Sequence, residues 1–324
     1  MPALIQQFNL QVQQEFGANV LTIGYVGNIG QHLPETINDI NVPPPNAVSL
    51  PRPLLPILPN LGTVGWLQSE GISNYSGLQM SVQRRFSQGL AFDANDTWGH
   101  DLSDITGFSQ EGQEGWSNQD PNHIRQYEYG NAENDIRNRG AISINYELPF
   151  GKEYPGMKKI ALSEWQVNAI GVYQSGKPFT IVNNSAAGGF GNRASPQFNG
   201  GVDRPNQIRP ATLSHPTLTR FFDTTAFVPQ PLGTVGSERR NPLYGPHFRH
   251  LDLSVFKDFD LTEQLRLQFR AEAFNISSTP NFFINNNVNS SPPTLLGNNS
   301  FGQVTTTDPN YVPRQWQFAL RLQF

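Results

Sequence analysis

In the stretch RQWQFALRLQF, Trp316, Phe318, Leu320, Leu322 and Phe324 stand at every second position, with Gln315, Gln317, Ala319, Arg321 and Gln323 between them. Successive side chains of a β-strand point to opposite faces, so a period of two makes one face apolar and the other polar. A helix, with its period of 3.6, cannot sort these residues in that way. Two settings accept such a strand: a sheet packed on a soluble core, or a barrel with lipid outside and water inside.

The alternation recurs along the chain. QQFNLQVQQEF puts Phe8, Leu10 and Val12 on one face, and NVLTIGYVG puts Leu21, Ile23 and Tyr25 on one face. SGLQMSVQRRF sets Leu78, Met80, Val82 and Phe86 against Gln79, Ser81, Gln83 and Arg85, while LAFDANDTW sets Leu90, Phe92, Ala94 and Trp98 against Asp93, Asn95 and Thr97. Ile142, Ile144, Tyr146 and Leu148 oppose Ser143, Asn145 and Glu147, and Trp165, Val167, Ala169 and Tyr173 oppose Gln166 and Asn168. HLDLSVFKDF and QLRLQFRAEAF, the latter with Leu265, Leu267 and Phe269 opposite Arg266, Gln268, Arg270 and Glu272, bring the expected strands, with the last one, to nine.

Connection lengths separate the two settings. Short connections are expected at 15–18, 87–89, 150–163 and 260–263, and long ones at 28–74, 99–134, 177–246 and 277–313. Short and long alternate, so all short turns fall at one end of the sheet. Loops beyond about 12 to 15 residues are uncommon in compact soluble domains. Strands near the roughly 9 to 11 residues of a membrane crossing, with short turns at one end and long loops at the other, describe an outer-membrane barrel. The expected fold class is therefore all-β: an antiparallel transmembrane β-barrel segment of about nine amphipathic strands with long extracellular loops. From Trp316 to Phe324 the tilted strand climbs roughly 20 Å, close to the lipid band.

Facing follows from cost. An Arg at the lipid midplane costs roughly 2 to 4 kcal/mol, so Arg266, Gln268, Arg270 and Glu272 on one strand, and Arg137, Arg139 and Glu147 on another, are expected to face a polar lumen. A net charge of -4 and a pI near 5.9 give no general attraction to nucleic acid or anionic headgroups, so a partner must be recognised locally. The chain has no cysteine, hence no disulfide framework and no thiolate metal site. Its mean hydropathy of -0.45 would suit a soluble protein, but alternating strands and polar loops hide a barrel from such an average.

Candidate chemical motifs are sparse. GVYQSGKP spaces Gly171, Gly176 and Lys177 as in a phosphate-binding loop, yet Pro178 follows and no helix start is available to hold phosphate. His247 and His250 sit three apart, which on a strand gives opposite faces. Gly24, Gly27 and Gly30 lack the dinucleotide-binding pattern. The loop after Gly99 is acidic, with Asp101, Asp104, Glu111, Glu114, Asp120, Glu128, Glu133 and Asp135 against Arg125; no calcium-loop spacing appears, and a solvated loop is expected. No serine, histidine and carboxylate constellation points to an enzyme, and no cofactor is expected.

The segments QQFNLQVQQEFGANVLTIGYVGNIGQHLPETINDINVPPP, NYSGLQMSVQRRFSQGLAFDANDTWGHDLSD, QDPNHIRQYEYGNAENDIRNRGAISINYELPFGK, WQVNAIGVYQSGKPFTI, NPLYGPHFRHLDLSVFKDFDLTEQLRLQFRAEAFNISSTPNF and FGQVTTTDPNYVPRQWQFALRLQF resemble, in order and spacing, the C-terminal barrel half of Oar-like TonB-dependent receptors of the acidobacterial type. The resemblance implies that residues 1–324 are the C-terminal part of a receptor barrel, with the plug and the regulatory-like N-terminal domains absent. It implies a place in the cell outer membrane of a Gram-negative type bacterium, and ligand uptake as the function. Implied partners are outer-membrane lipid, the barrel assembly machinery, an unknown extracellular ligand, and the TonB system only through the missing N-terminal part. Nucleic acid is not among them. In outer-membrane barrels generally a C-terminal aromatic on an alternating strand resembles the signal read by the assembly machinery, which makes Phe324, with Leu322, Leu320, Phe318 and Trp316, the expected assembly signal. The alternative is a surface-exposed outer-membrane barrel with an adhesion or envelope-structural role.

Overall fold

The computed structural model describes every residue except 38, 44–50, 63, 106–118, 184–202, 232, 285–292 and 310. Its long strands are β1 (Leu4–Phe16), β2 (Asn19–Ile37), β3 (Trp66–Ser87), β4 (Leu90–Ser103), β5 (Asn138–Glu147), β6 (Trp165–Gln174), β7 (Phe248–Asp260), β8 (Arg266–Phe274) and β9 (Gln315–Gln323). Each pairs with its neighbour in sequence in one antiparallel sheet, and the two-residue strand Gly130–Asn131 extends the end of β4. The turns at the short end match their residues. Gly17 takes φ +58 between β1 and β2, and Gln88 and Gly89 take φ +53 and +80 between β3 and β4, as two-residue hairpin turns require.

The register aligns the apolar residues into one continuous face. Val12 faces Ile23, which faces Met80; Ala94 faces Ile142; Ile144 faces Ala169. Val167 faces Val255, Val255 faces Ala271, and Ala271 faces Phe318. On this face Leu10, Phe318 and Leu320 are 72%, 65% and 70% exposed. An apolar surface running across nine strands cannot be left in water, and lipid is the solvent that accepts it. Charged residues interrupt this face at Arg84 opposite Phe92, Asp96 opposite Met80, Arg249 opposite Tyr173, and Lys257 opposite Trp165 and Phe269. Lys257 is the most enclosed of these. It is buried, with Nζ donating to Ser163 O at 2.6 Å and Asp258 O at 2.8 Å.

Two features differ from the sequence-based expectation. β2 and β3 run well beyond a membrane crossing, so that Thr36 still pairs with Leu67 and Ile37 with Trp66; this removes much of the expected 28–74 loop. A register shift between Gly30 and Leu33, where His32 takes φ +53, marks the passage from the regular wall to this overhang. The second difference is a hydrophobic core made inside the long connections, not in the wall. Phe179, Ile181, Ala211, Phe222, Ala226, Phe227, Leu243, Ile284 and Val304 form it, with Phe221, Phe282, Leu296 and Phe301 packed against them. Small two-stranded pieces frame this cap: Pro178–Phe179 with Leu243–Tyr244, Asn206–Gln207 with Phe227–Val228, Thr212–Thr217 with Arg220–Phe222, and Phe282–Phe283 with Thr306–Thr307. Two short α-helices, α1 (Ile124–Glu128) in the connection after β4 and α2 (Met157–Leu162) in the connection after β5, and a 3-10 turn at Thr224–Ala226 complete the described helical structure.

Candidate functional site

The polar face of the wall collects the residues expected to face a lumen. Arg266, Gln268, Arg270 and Glu272 oppose Gln323, Arg321, Ala319 and Gln317 across β8 and β9. Arg139 and Glu147 lie in the same polar row of β5, opposite Gln174 and Gln166. Neighbours on this face bond along their own strands: Arg270 Nε donates to Gln268 Oε1 at 2.6 Å, and Gln166 Nε2 to Asn168 Oδ1 at 3.0 Å. Arg270 also lies over the Phe256 ring, 4.8 Å from its centroid. Arg266 sits at the rim, where its Nε is 2.9 Å from Asp260 Oδ1 across the β7–β8 turn. On the apolar face Trp316, Phe318, Leu320 and Leu322 oppose Ala273, Ala271, Phe269 and Leu267, and Phe324 follows the end of β9.

At the long-loop end four of the six described carboxylates of the acidic connection are buried and structural, which corrects the expectation of a solvated loop for those four. Asp104, Asp120, Glu128 and Asp135 are buried, while Glu111 and Glu114 lie outside the described residues. Partners from distant loops explain the burial. Arg204 pairs its Nη1 with Glu128 Oε2 at 2.9 Å, and Tyr244 donates its hydroxyl to Asp135 Oδ2. Asn241 and Asn131 exchange amide-to-carbonyl bonds, Nδ2 to O at 3.0 and 2.7 Å, and Thr180 donates to Asn241 Oδ1 at 2.8 Å. The 104–137 and 175–247 connections are thereby locked together.

A polar cavity of about 960 Å³ opens beside this network, lined among others by Glu35, Gln68, Glu70, Asp104, His123 and Arg125. Glu35 stands on the β2 overhang, beyond the roughly 11 residues that carry β2 across the membrane. It is 2% exposed; its Oε1 accepts from Gln68 Nε2 at 2.7 Å, and its Oε2 has no hydrogen-bond partner. Burial pushes its carboxyl above the usual range, against the lowering effect of the Gln68 bond. Asp104 is raised by burial too, although Ile72 N–H donates to its Oδ1 at 2.7 Å and Arg125 Nε lies 3.6 Å from its Oδ2. Three carboxylates thus face one guanidinium, a surface suited to a ligand that brings hydrogen-bond donors. Among the described residues no group of three or more His, Cys, Asp and Glu is arranged to hold a metal ion.

The smaller motifs resolve as ordinary structure. Gly176 and Lys177 lie past the end of β6 and lead to the short strand Pro178–Phe179, and a Cβ on Gly176 would strike the Gly245 carbonyl. His247 accepts or donates at 3.1 Å with the Tyr173 hydroxyl, and His250 Nε2 sits 2.8 Å from Asp252 Oδ1. Glu35 and Glu70 were not among the sequence-level candidates, because no local pattern marks two acids that the β2–β3 overhang brings to one cavity.

Over residues 2–317 the sequence matches the family described as outer membrane beta barrel domain. The chain belongs to this outer-membrane β-barrel family. It is accordingly a protein of the cell outer membrane, and the apolar face of its sheet is the lipid-facing side of a barrel wall. A search of curated proteins finds no match. Among solved structures, BauA, the ferric preacinetobactin receptor from Acinetobacter baumannii, aligns over 99% of this chain and 29% of its own, at 10% identity and a TM-score of 0.44. The chain therefore spans less than a third of that receptor's length.

Proposed function

We propose that these nine strands are part of the wall of a TonB-dependent outer-membrane receptor barrel, whose long-loop end captures an extracellular ligand for uptake. The observation that carries this reading is the polar cavity of about 960 Å³ at that end, within the size range of small-molecule sites and flanked by the buried Arg204–Glu128 ion pair and its neighbouring hydrogen bonds. The open sheet supports the wall role. Among the described residues β1 pairs only with β2, and β9 only with β8, and both edges run in the same direction, so an antiparallel closure between them is not available. Unpaired edges are untenable in hydrocarbon, and further strands complete the barrel. In this reading Arg266, Gln268, Arg270, Glu272, Arg139 and Glu147 line the lumen. Phe324, with the apolar row of β9, is the signal for the assembly machinery, and TonB acts through a plug-bearing part of the receptor. The function is binding and passage, with no catalytic step and no cofactor.

The test is made in cells carrying the receptor or its Glu35→Gln/Asp104→Asn double variant at equal surface level. Medium components are quantified before and after growth, with and without a protonophore. Uptake predicts a component depleted only by the wild type and only with the proton gradient intact. No such component, combined with detergent sensitivity on removing the receptor, would replace uptake with the envelope-structural role.

A further inference from the structure

We infer that the β5–β6 connection is a docking surface for anionic phospholipid of the leaflet at the short-turn end. Three of the four short connections are tight, whereas this one runs from 148 to 164 and carries α2. All six residues of α2 are exposed; Met157 is 86% and Ile160 58% accessible, so no core lies beneath it. Two bonds fix where the helix sits. Trp165, first residue of β6 and a member of the apolar row, donates its indole Nε1–H to Ala161 O at 2.9 Å. Lys257, its cross-strand partner in that row, donates Nζ to Ser163 O at 2.6 Å. Both side chains leave the sheet on the lipid-facing side. The end of α2 is therefore tied to the outer perimeter of the rim, and its apolar side chains continue the lipid-facing surface of the wall.

Charge decides which lipid. Lys158 and Lys159 are exposed and α2 contains no acid; in the rest of the connection Lys152 is engaged at 3.5 Å by Glu164 and Glu153 is exposed, so cations exceed acids by one. The other short turns balance their cations: Arg85 lies 3.1 Å from Glu15, and Arg266 2.9 Å from Asp260. A short amphipathic element with Met, Ile and Leu beside two exposed lysines, held at headgroup level, matches a surface of acyl chain and net negative headgroup charge. A zwitterionic headgroup cancels the charge of its own phosphate, so the occupant is an anionic headgroup such as phosphatidylglycerol.

Two measurements on the receptor that contains this wall test this. These 324 residues contain no cysteine, so Ile160→Cys is the one nitroxide site they carry. In nanodiscs containing phosphatidylglycerol, the label at 160 should be more accessible to oxygen than to a water-soluble nickel chelate. In native mass spectra, Lys158→Gln/Lys159→Gln should retain at least threefold fewer phosphatidylglycerol adducts than wild type, with phosphatidylcholine adducts unchanged. Both changes lie on an exposed helix face and leave the sheet intact. A label open to the nickel chelate, or equal phosphatidylglycerol retention in the two proteins, overturns the proposal.

Discussion

The wall and the cap use the same residue types in opposite ways. In the wall, Phe318 and Leu320 point outward and the sheet has no apolar interior; in the cap, Phe179, Phe222 and Phe227 are 2%, 3% and 4% exposed, with Phe222 in ring contact with the other two. The difference lies in the solvent. Hydrogen bonding between neighbouring strands satisfies the wall's backbone, and lipid accepts its apolar face. The cap stands beyond the lipid, where water surrounds it and burial has to be made internally. One chain therefore contains two kinds of stability, one that needs a membrane and one that does not.

The largest expected effect breaks the cap alone. Phe222 packs edge-on against Phe227 and Phe301, with ring centroids 5.9 and 5.3 Å away. Phe222→Ala should destabilise the cap by about 3 to 5 kcal/mol, read as faster proteolysis within the cap while membrane insertion stays unchanged. Lost insertion would mean that the two regions fold as one unit. Next comes the wall. Phe318→Arg should weaken folding into vesicles by roughly 2 to 4 kcal/mol, whereas Gln317→Arg, at the same depth on the polar face, should change it by less than about 1 kcal/mol. Equal losses in urea titrations would invalidate the facing.

A smaller effect is set by pH. Glu238 in the cap is 3% exposed, accepts from Ile181 N–H at 3.0 Å through Oε1 and leaves Oε2 without a hydrogen bond. Burial pushes its carboxyl well above the usual range, against Ile181 and Arg204. A raised folded-state value means the stabilising contribution is complete below the unfolded value and is lost as pH rises through the folded one. Glu238→Gln should therefore protect the amides near Ile181 better than wild type at pH 8 and equally at pH 4, by hydrogen exchange. A gain at both pH values would assign the effect to packing. The smallest effect on stability is expected at Phe324, which is 98% exposed past the end of β9. Its deletion should leave the folded protein's melting unchanged in detergent yet lower its surface level in cells. An unchanged surface level would reduce Phe324 to an ordinary interfacial aromatic.

Much of the wall was legible because a period of two is a local property: Trp316 to Leu322 sort themselves onto a face without knowledge of any partner strand. Strand ends were less so. Glu35 and Gln68 belong to a paired overhang that carries no lipid-facing stripe, so nothing in NIGQHLPETI distinguishes it from loop. The cap was missed for a related reason. The cluster RFFDTTAF carries three of its aromatics, but their burial depends on Phe179 and Phe301, which lie far away in sequence. Glu128 reads as one more solvated acid until Arg204 reaches it.

The sequence by itself determined that this chain makes amphipathic antiparallel strands with short turns at one end, because alternation and turn residues act within a few positions. Tertiary structure decided which acids meet in a cavity, which aromatics leave water together and which lipid-side residues hold α2 at the rim. Those outcomes depend on loop closures and cross-strand register spanning many residues, and no local pattern of side chains encodes them.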